Sequence, residues 1–330
     1  MYIFSSDSMK RFIVKISGYI MIIVVLTLSI NAVYKMRVQK TALIPDQIDI
    51  CNFGSSHGVH SYYYEDLESK YTCYNFAMDS QSLSYDERLL DCYKNRLADH
   101  AVVIIDISYF ACWGIPESKS ENFDSKNQRY YSVLSPKYIK EYDWYTDLIV
   151  NHLCSLNDGP LKVVKEILRP TTQTKSYPDN WDIVDQSKLR EDVKAACQRH
   201  IFMEKRDDDG NLIFNEEENQ ALYDMVRICR AHHATPIFVT VPYLKEYTDE
   251  IRNEDPDFYD QFYAWIYQLS AELGVEYYDY SLDERFIHDY SLFYNGDHMN
   301  SYGAKKFTKI LYDEVIKYHT RKLQIMSAKY

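Results

Sequence analysis

Residues 101–108 read AVVIIDIS, an apolar run without polar alternation. Valine and isoleucine favour extended backbone, and a strand that is apolar on both sides needs cover on both faces. That is the condition of a strand inside a parallel sheet. Shorter runs of the same texture recur at IDICNFG (48–54), TCYNFAMD (72–79), TPIFVTVP (235–242) and VEYYDYS (275–281). Helical spacing of apolar residues marks the intervals: Ser82 to Ala98, 217–234, 258–273, and from about Ser301 onward with Phe307, Ile310, Leu311 and Val315. HGVHSYYYEDLES, after the first strand, is a further helix candidate. Strands alternating with helices predict an α/β fold, a three-layer sandwich around a mostly parallel central sheet.

The stretch from about 112 to 215 breaks this rhythm. Prolines 116, 136, 160, 170 and 178 punctuate it, and it is expected to form helices and loops inserted into the main fold. RDDDGNLIF (206–214) has the colour of a calcium loop, but Gly210 is fourth from Asp207 where an EF-hand needs its glycine sixth, so a polar turn is expected.

Residues 16–34, ISGYIMIIVVLTLSINAVY, carry no charge. About 20 such residues span a bilayer. Lys10, Arg11 and Lys15 precede the run and no small-x-small cleavage site follows, which favours an uncleaved signal anchor over a removed signal peptide or a buried core helix. Residues 1–15 are then a cytoplasmic tail, 35–46 a linker, 47–320 the α/β domain and 321–330 a tail. Lys35, Arg37 and Lys40 lie on the far side, so the charge bias for orientation is shallow; the C-terminal domain is expected outside the cytoplasm, on a single-pass cell-membrane protein.

A net charge of -12 excludes a general nucleic-acid binder. Seven cysteines, odd in number and without a CxxC pair, indicate neither a zinc site nor a dense disulfide framework. The 32 tyrosines suit carbohydrate contacts and ordinary aromatic packing alike.

Ligands of a doubly wound sheet sit beyond the C-terminal ends of its strands. Gly54-Ser55-Ser56-His57 ends the first strand, and the loop 294–300 (YNGDHMN) precedes the last helix, so both reach that edge. A serine needs a base to attack at neutral pH, and a histidine supplies one when an acidic group fixes its tautomer. Gly-Ser turns and helix N-caps such as Asn300 or Ser301 explain either motif alone; their pairing at the first and last stations favours catalysis. His57 reads as a turn or substrate contact, His60 as solvated, and Thr240, Pro242, Tyr243, Tyr109 and Phe110 as pocket wall.

GSSH at 54–57 and DHMNSYGAKKF at 297–307 resemble the SGNH/GDSL hydrolase superfamily, and within it the membrane-anchored bacterial branch of D-alanyl-lipoteichoic acid biosynthesis and alginate O-acetylation proteins. The resemblance covers about 46–110 and 217–318. It implies Ser56 as nucleophile, His298 as base, an SGNH-like domain and no metal or organic cofactor. The family's acid often stands three residues before the histidine; here that residue is Asn295. Adjacent Asp297 in a bent loop, a backbone carbonyl, or a bare Ser-His dyad are the alternatives. The Ser56 N–H is the default oxyanion donor; Ser80 and Gln81 stand where the family has a glycine, and no asparagine follows the third strand. The resemblance implies serine-dependent acyl transfer, as an esterase or O-acyltransferase handling an acetyl group on a cell-envelope or exported polysaccharide. Its partners would be an acylated or acceptor glycan, the membrane through residues 16–34, and a membrane-bound acyl donor protein, with no nucleic acid. A degenerate glycan-binding or scaffold protein of an envelope-polysaccharide assembly system is the alternative.

Overall fold

The AVVIIDIS run lies at the centre of a parallel sheet. In the computed structural model, which describes residues 6–38, 44–115, 119, 123–153, 159–168, 178–203 and 205–320, it belongs to β3 (Leu97–Asp106). Val102 to Ile105 are fully buried. Each such side chain contributes roughly 1.5–3 kcal/mol by leaving water. The other strands are β1 (Ile48–Phe53), β2 (Cys73–Asn75), β4 (Thr235–Thr240) and β5 (Tyr277–Asp279). Among the described residues they form one five-stranded sheet, all parallel, in the order β2-β1-β3-β4-β5. The chain leaves β1 in one direction to make β2 and returns on its other side to make β3. A crevice therefore opens at the C-terminal ends of β1 and β3. The register pairs Phe53 with Ile105 and Asp106 with Val239, which sets those ends level.

The helices follow the apolar spacing with differences at their ends. Leu83–Tyr93 stops four residues before Leu97, where a helix to Ala98 was expected. Leu97 is drawn into the sheet by pairing with Ile48, at a register shift in β1 that sequence periodicity does not record. Glu216–Ala231 and Phe258–Leu273 lie close to their expected bounds. The last helix, Ser301–Leu311, is N-capped by Asn300, whose Oδ1 accepts the Gly303 N–H at 3.0 Å. Lys245–Glu254 is a helix the sequence reading did not mark. The 206–214 segment is a polar turn closed on Asp207, which accepts the amides of Asp209 and Asn211.

The chain divides into two compact units, Met1–Ile44 with Asp124–Thr174, and Pro45–Phe123 with Lys175–Tyr330. The expected insertion at 112–215 is thus split. Its middle joins the N-terminal helix, and its later part, with helix Leu189–Cys197 packed on Lys245–Glu254, belongs to the sheet unit.

In the first unit, the helix Ser6–Val38 (α1) is long and apolar enough to cross a membrane. It begins within the segment expected as a cytoplasmic tail and runs past Tyr34. Helix Pro160–Leu168 and the turn Leu148–His152 pack on it. Asp143 caps the turn at Trp144 by accepting the Thr146 N–H, and its own N–H donates to the Tyr131 hydroxyl at 2.8 Å. Residues 39–43 of the expected linker and the 321–330 tail lie outside the described residues.

Candidate active site

Gly54 makes the turn after β1 feasible. Its φ is +145°, and a Cβ there would lie 2.7 Å from the Asp106 Cβ, so only glycine lets β1 and β3 end side by side. Its N–H donates to buried Asp86 at 3.0 Å. Ser55 then stands at the N-cap position of a six-residue helix, Ser56–Ser61, without a side-chain bond to it, and Ser56 occupies the first position at the sheet edge.

The opposing wall is the 293–299 loop, pinched by an antiparallel bridge between Phe293 and Met299. Asn295 shapes it from within: its Oδ1 accepts the Asp297 N–H at 3.1 Å and the His298 N–H at 2.8 Å. Gly296 presses onto helix Leu189–Cys197, where a Cβ would meet the Val193 Cγ2 at 2.8 Å. The bend turns two neighbouring side chains toward each other. Asp297 Oδ1 stands 3.1 Å from His298 Nδ1, and His298 Nε2 stands 2.8 Å from Ser56 Oγ. A carboxylate only accepts, so Nδ1 carries the proton and Nε2 is left to accept from the serine hydroxyl. Asn295 also reaches His298 Nδ1 at 3.2 Å, beside the carboxylate rather than in place of it.

Asp297 is enclosed by imidazoles. His57 Nε2 faces its Oδ2 at 3.5 Å and His200 Nδ1 at 3.7 Å. Burial drives the Asp297 carboxyl upward, but attraction and hydrogen bonding to His298, then to His57 and His200, outweigh it and hold the group well below the carboxylate range. Burial lowers His57 and His200, and lowers His60 to about 4 with repulsion from His298 adding to it. The neighbours are therefore neutral at physiological pH. The carboxylate's field is available for an imidazolium formed on His298.

Other polar groups position these. Ser108, just past β3, lies 3.2 Å from His57 Nδ1 and 3.5 Å from Ser55 Oγ, and donates to Asp106 at 3.4 Å. The Tyr247 hydroxyl lies within hydrogen-bond distance of His200 Nδ1, at 2.8 Å. Asp106, buried beneath the Gly54 turn, has its pKa raised to about 8 by desolvation, with Ser108 opposing.

The structure brings Ser56, His298 and Asp297 together, with Asn295 at the edge of the imidazole. Three readings change. Gln81, expected as an oxyanion or pocket donor, is buried under the turn, and its amide donates to Gly54 O, Phe76 O and Asp86, which uses up its N–H groups. His60, expected in solvent, is half-buried against Tyr294 and His298, at ring distances of 4.9 and 5.2 Å. Tyr109, expected at the pocket wall, is buried among Tyr243, Phe258, Tyr259 and Phe262. Ser80 is exposed at φ +53°. His200 escaped the sequence reading because it lies in a segment without a motif and arrives only by helix packing. His57 was legible as part of the turn but not as a face of the carboxylate.

No protein-family model and no curated protein matches this chain. The site's meaning rests on its chemistry. His57, Asp297 and His298 also offer three donor atoms within 4.8 Å, the separation of metal ligands. A divalent ion seated there would compete with Ser56 for the His298 imidazole and with His298 for the carboxylate. Five of the six described free cysteines are buried, and desolvation raises the thiols of Cys51, Cys73, Cys112, Cys197 and Cys229, which disfavours thiolate chemistry.

Proposed function

We propose that this protein is a serine-dependent acyl-transfer enzyme, a member of the SGNH type with helices on both faces of its sheet. The observation that carries the reading is the relay Ser56 Oγ to His298 Nε2 at 2.8 Å and His298 Nδ1 to Asp297 Oδ1 at 3.1 Å. Ser56 attacks an ester carbonyl while His298 takes its proton, and Asp297 stabilises the imidazolium. The Ser56 N–H donates to the oxyanion. His298 then returns the proton to the leaving alcohol, and an acyl-serine remains. Water as the next acceptor makes the protein an esterase; a sugar hydroxyl makes it an O-acyltransferase. The N-terminal anchor favours a substrate at the cell envelope, an exported polysaccharide carrying acetyl groups, with the sheet unit outside the cytoplasm.

A second reading, a binding or scaffold protein that keeps the SGNH outline, is favoured by Gln81, whose amide is engaged beneath the turn. The test is hydrolysis of p-nitrophenyl acetate and acetylated glycans by the full chain in detergent. Ser56→Ala and His298→Ala are each expected to lower the rate at least about a thousandfold. A fluorophosphonate probe should label the parent and spare Ser56→Ala. Rates indifferent to both changes, with no labelling, would establish the binding reading.

A further inference from the structure

Along α1 the side chains from Phe12 to Ile30 stand largely exposed. At Asn31 and Tyr34 exposure falls to 6% and 1%. Helix Pro160–Leu168 and the Leu148–His152 turn, of the same compact unit, pack on α1. Residues 31–34 are also the last turn of the uncharged run that begins at Ile16. The burial therefore begins where a spanning helix would leave the hydrocarbon.

The segments packed on α1 are themselves apolar on the outside. Helix Pro160–Leu168 has three stripes rather than two. Val163 is buried and Ile167 half-buried; Lys162 and Lys165 are exposed on a second side; Leu161, Val164 and Leu168 form a third. Leu161 is 87% exposed and Leu168 74%. On the neighbouring turn Trp144 is 68% exposed, with Tyr145 beside it. Apolar side chains so exposed, beside lysines, fit a lipid boundary better than water. Tryptophan and tyrosine favour the headgroup level of a bilayer, and lysines can extend to lipid phosphates while their stems stay apolar.

We propose that residues 144–153 and 159–168 form a collar that lies in the membrane interface around the exit of α1, with Trp144, Tyr145, Leu161, Val164 and Leu168 seated at the boundary of headgroups and acyl chains. The occupant of the patch is the bilayer because the patch lies on segments packed against α1, whose own apolar side chains are exposed, and because the exposed Lys165 beside it complements phosphate.

The test uses the full chain reconstituted in phosphatidylcholine–phosphatidylglycerol vesicles, with flotation confirming in every sample that the chain is membrane-bound. The fluorescence of the parent minus that of Trp144→Phe isolates the Trp144 contribution. Lipid brominated near the carboxyl end of its acyl chains should remove most of this contribution, and aqueous iodide little of it. Leu161→Asp with Leu168→Asp, both at exposed positions, should reverse the two sensitivities while the chain still floats. A Trp144 contribution quenched by iodide and indifferent to brominated lipid would overturn the proposal. So would one that neither quencher reaches, because a protein surface would then cover the patch.

Discussion

The two compact units differ in how much of their aromatic and aliphatic surface they leave exposed. In the sheet unit the large rings turn inward: Tyr62, Tyr64, Tyr85, Tyr109, Tyr243 and Tyr247 are all fully buried. Buried acids and imidazoles sit among them at one sheet edge. In the unit of α1 and 124–174, Tyr34, Tyr130, Tyr131 and Leu134 are buried as well, but most of α1 and Trp144, Tyr145, Leu161 and Leu168 stand exposed. Inward rings beside a charged cluster are the packing of a domain folded in water; the exposed ones of the other unit are those that the proposed collar would place against lipid. Residue composition hides this difference, because both units draw on the same apolar residues.

The strongest way to break the contrast is to show that the buried charge of the sheet unit is mere packing. Asp297→Asn keeps the shape and removes the charge. An amide can offer its N–H to His298 Nδ1 and so reverse the imidazole tautomer, leaving Nε2 unable to accept from Ser56. A loss of about 10⁴ in kcat is expected if acyl transfer is the activity. It is measured by ester hydrolysis, with far-UV circular dichroism confirming the fold. Unchanged turnover would sever Asp297 from the chemistry.

Next in size are two core substitutions in the sheet unit. Trp113 packs against Phe214 and Trp265 and is buried. Trp113→Ala should cost about 3–5 kcal/mol in denaturant unfolding. Gly54→Ala must relieve both the +145° backbone and the contact with Asp106. It should cost at least about 1–3 kcal/mol and displace the Ser56 turn. Retention of full stability by both would mean that the β1–β3 edge is far softer than its geometry.

Much of this edge was legible in the sequence. The alternation of β-branched runs with amphipathic helices is local, and it gave the parallel α/β fold and the facing positions of the 54–57 turn and the 294–300 loop. What was not legible came from contacts distant in the chain. Asp297 turns toward its own neighbour only because Asn295 accepts two backbone amides and Phe293 pairs with Met299. His200 is delivered by a helix packed against Lys245–Glu254, a pairing without a sequence signature. Gln81 looked free because periodicity does not show that Asp86 and two carbonyls await it under the turn. The division of the 112–215 region between two units depends likewise on where its helices dock.

A smaller effect separates the buried acids from the imidazoles. Asp106 titrates near 8 when folded and at about 3.8 when unfolded. Between these values the folded state binds the extra proton, so Asp106 makes stability fall as pH rises. Buried Asp86, raised well above its ordinary value, acts in the same direction. His57, His60 and His200 are lowered, so they erode stability only below about 6.5, where the unfolded chain takes up their protons. The interval from pH 6.5 to 8 therefore isolates the acids. Asp106→Asn should flatten the decline of unfolding free energy there, measured by urea titration at several pH values. An unchanged slope would assign the decline to Asp86 alone.

The smallest expected effect tests the more exposed unit. Trp144 and Trp113 are the same residue in opposite settings, one exposed and one enclosed by rings. Removing an indole from a packed interior leaves a cavity, whereas removing one from a surface leaves none. Trp144→Ala in detergent-solubilised full chain should therefore shift unfolding by no more than about 0.5 kcal/mol. The detergent matters, because it can cover the patch without the order of a bilayer. A penalty comparable to that of Trp113→Ala would show that Trp144 packs against protein, and the contrast between the two units would then fail at the residue chosen to represent it.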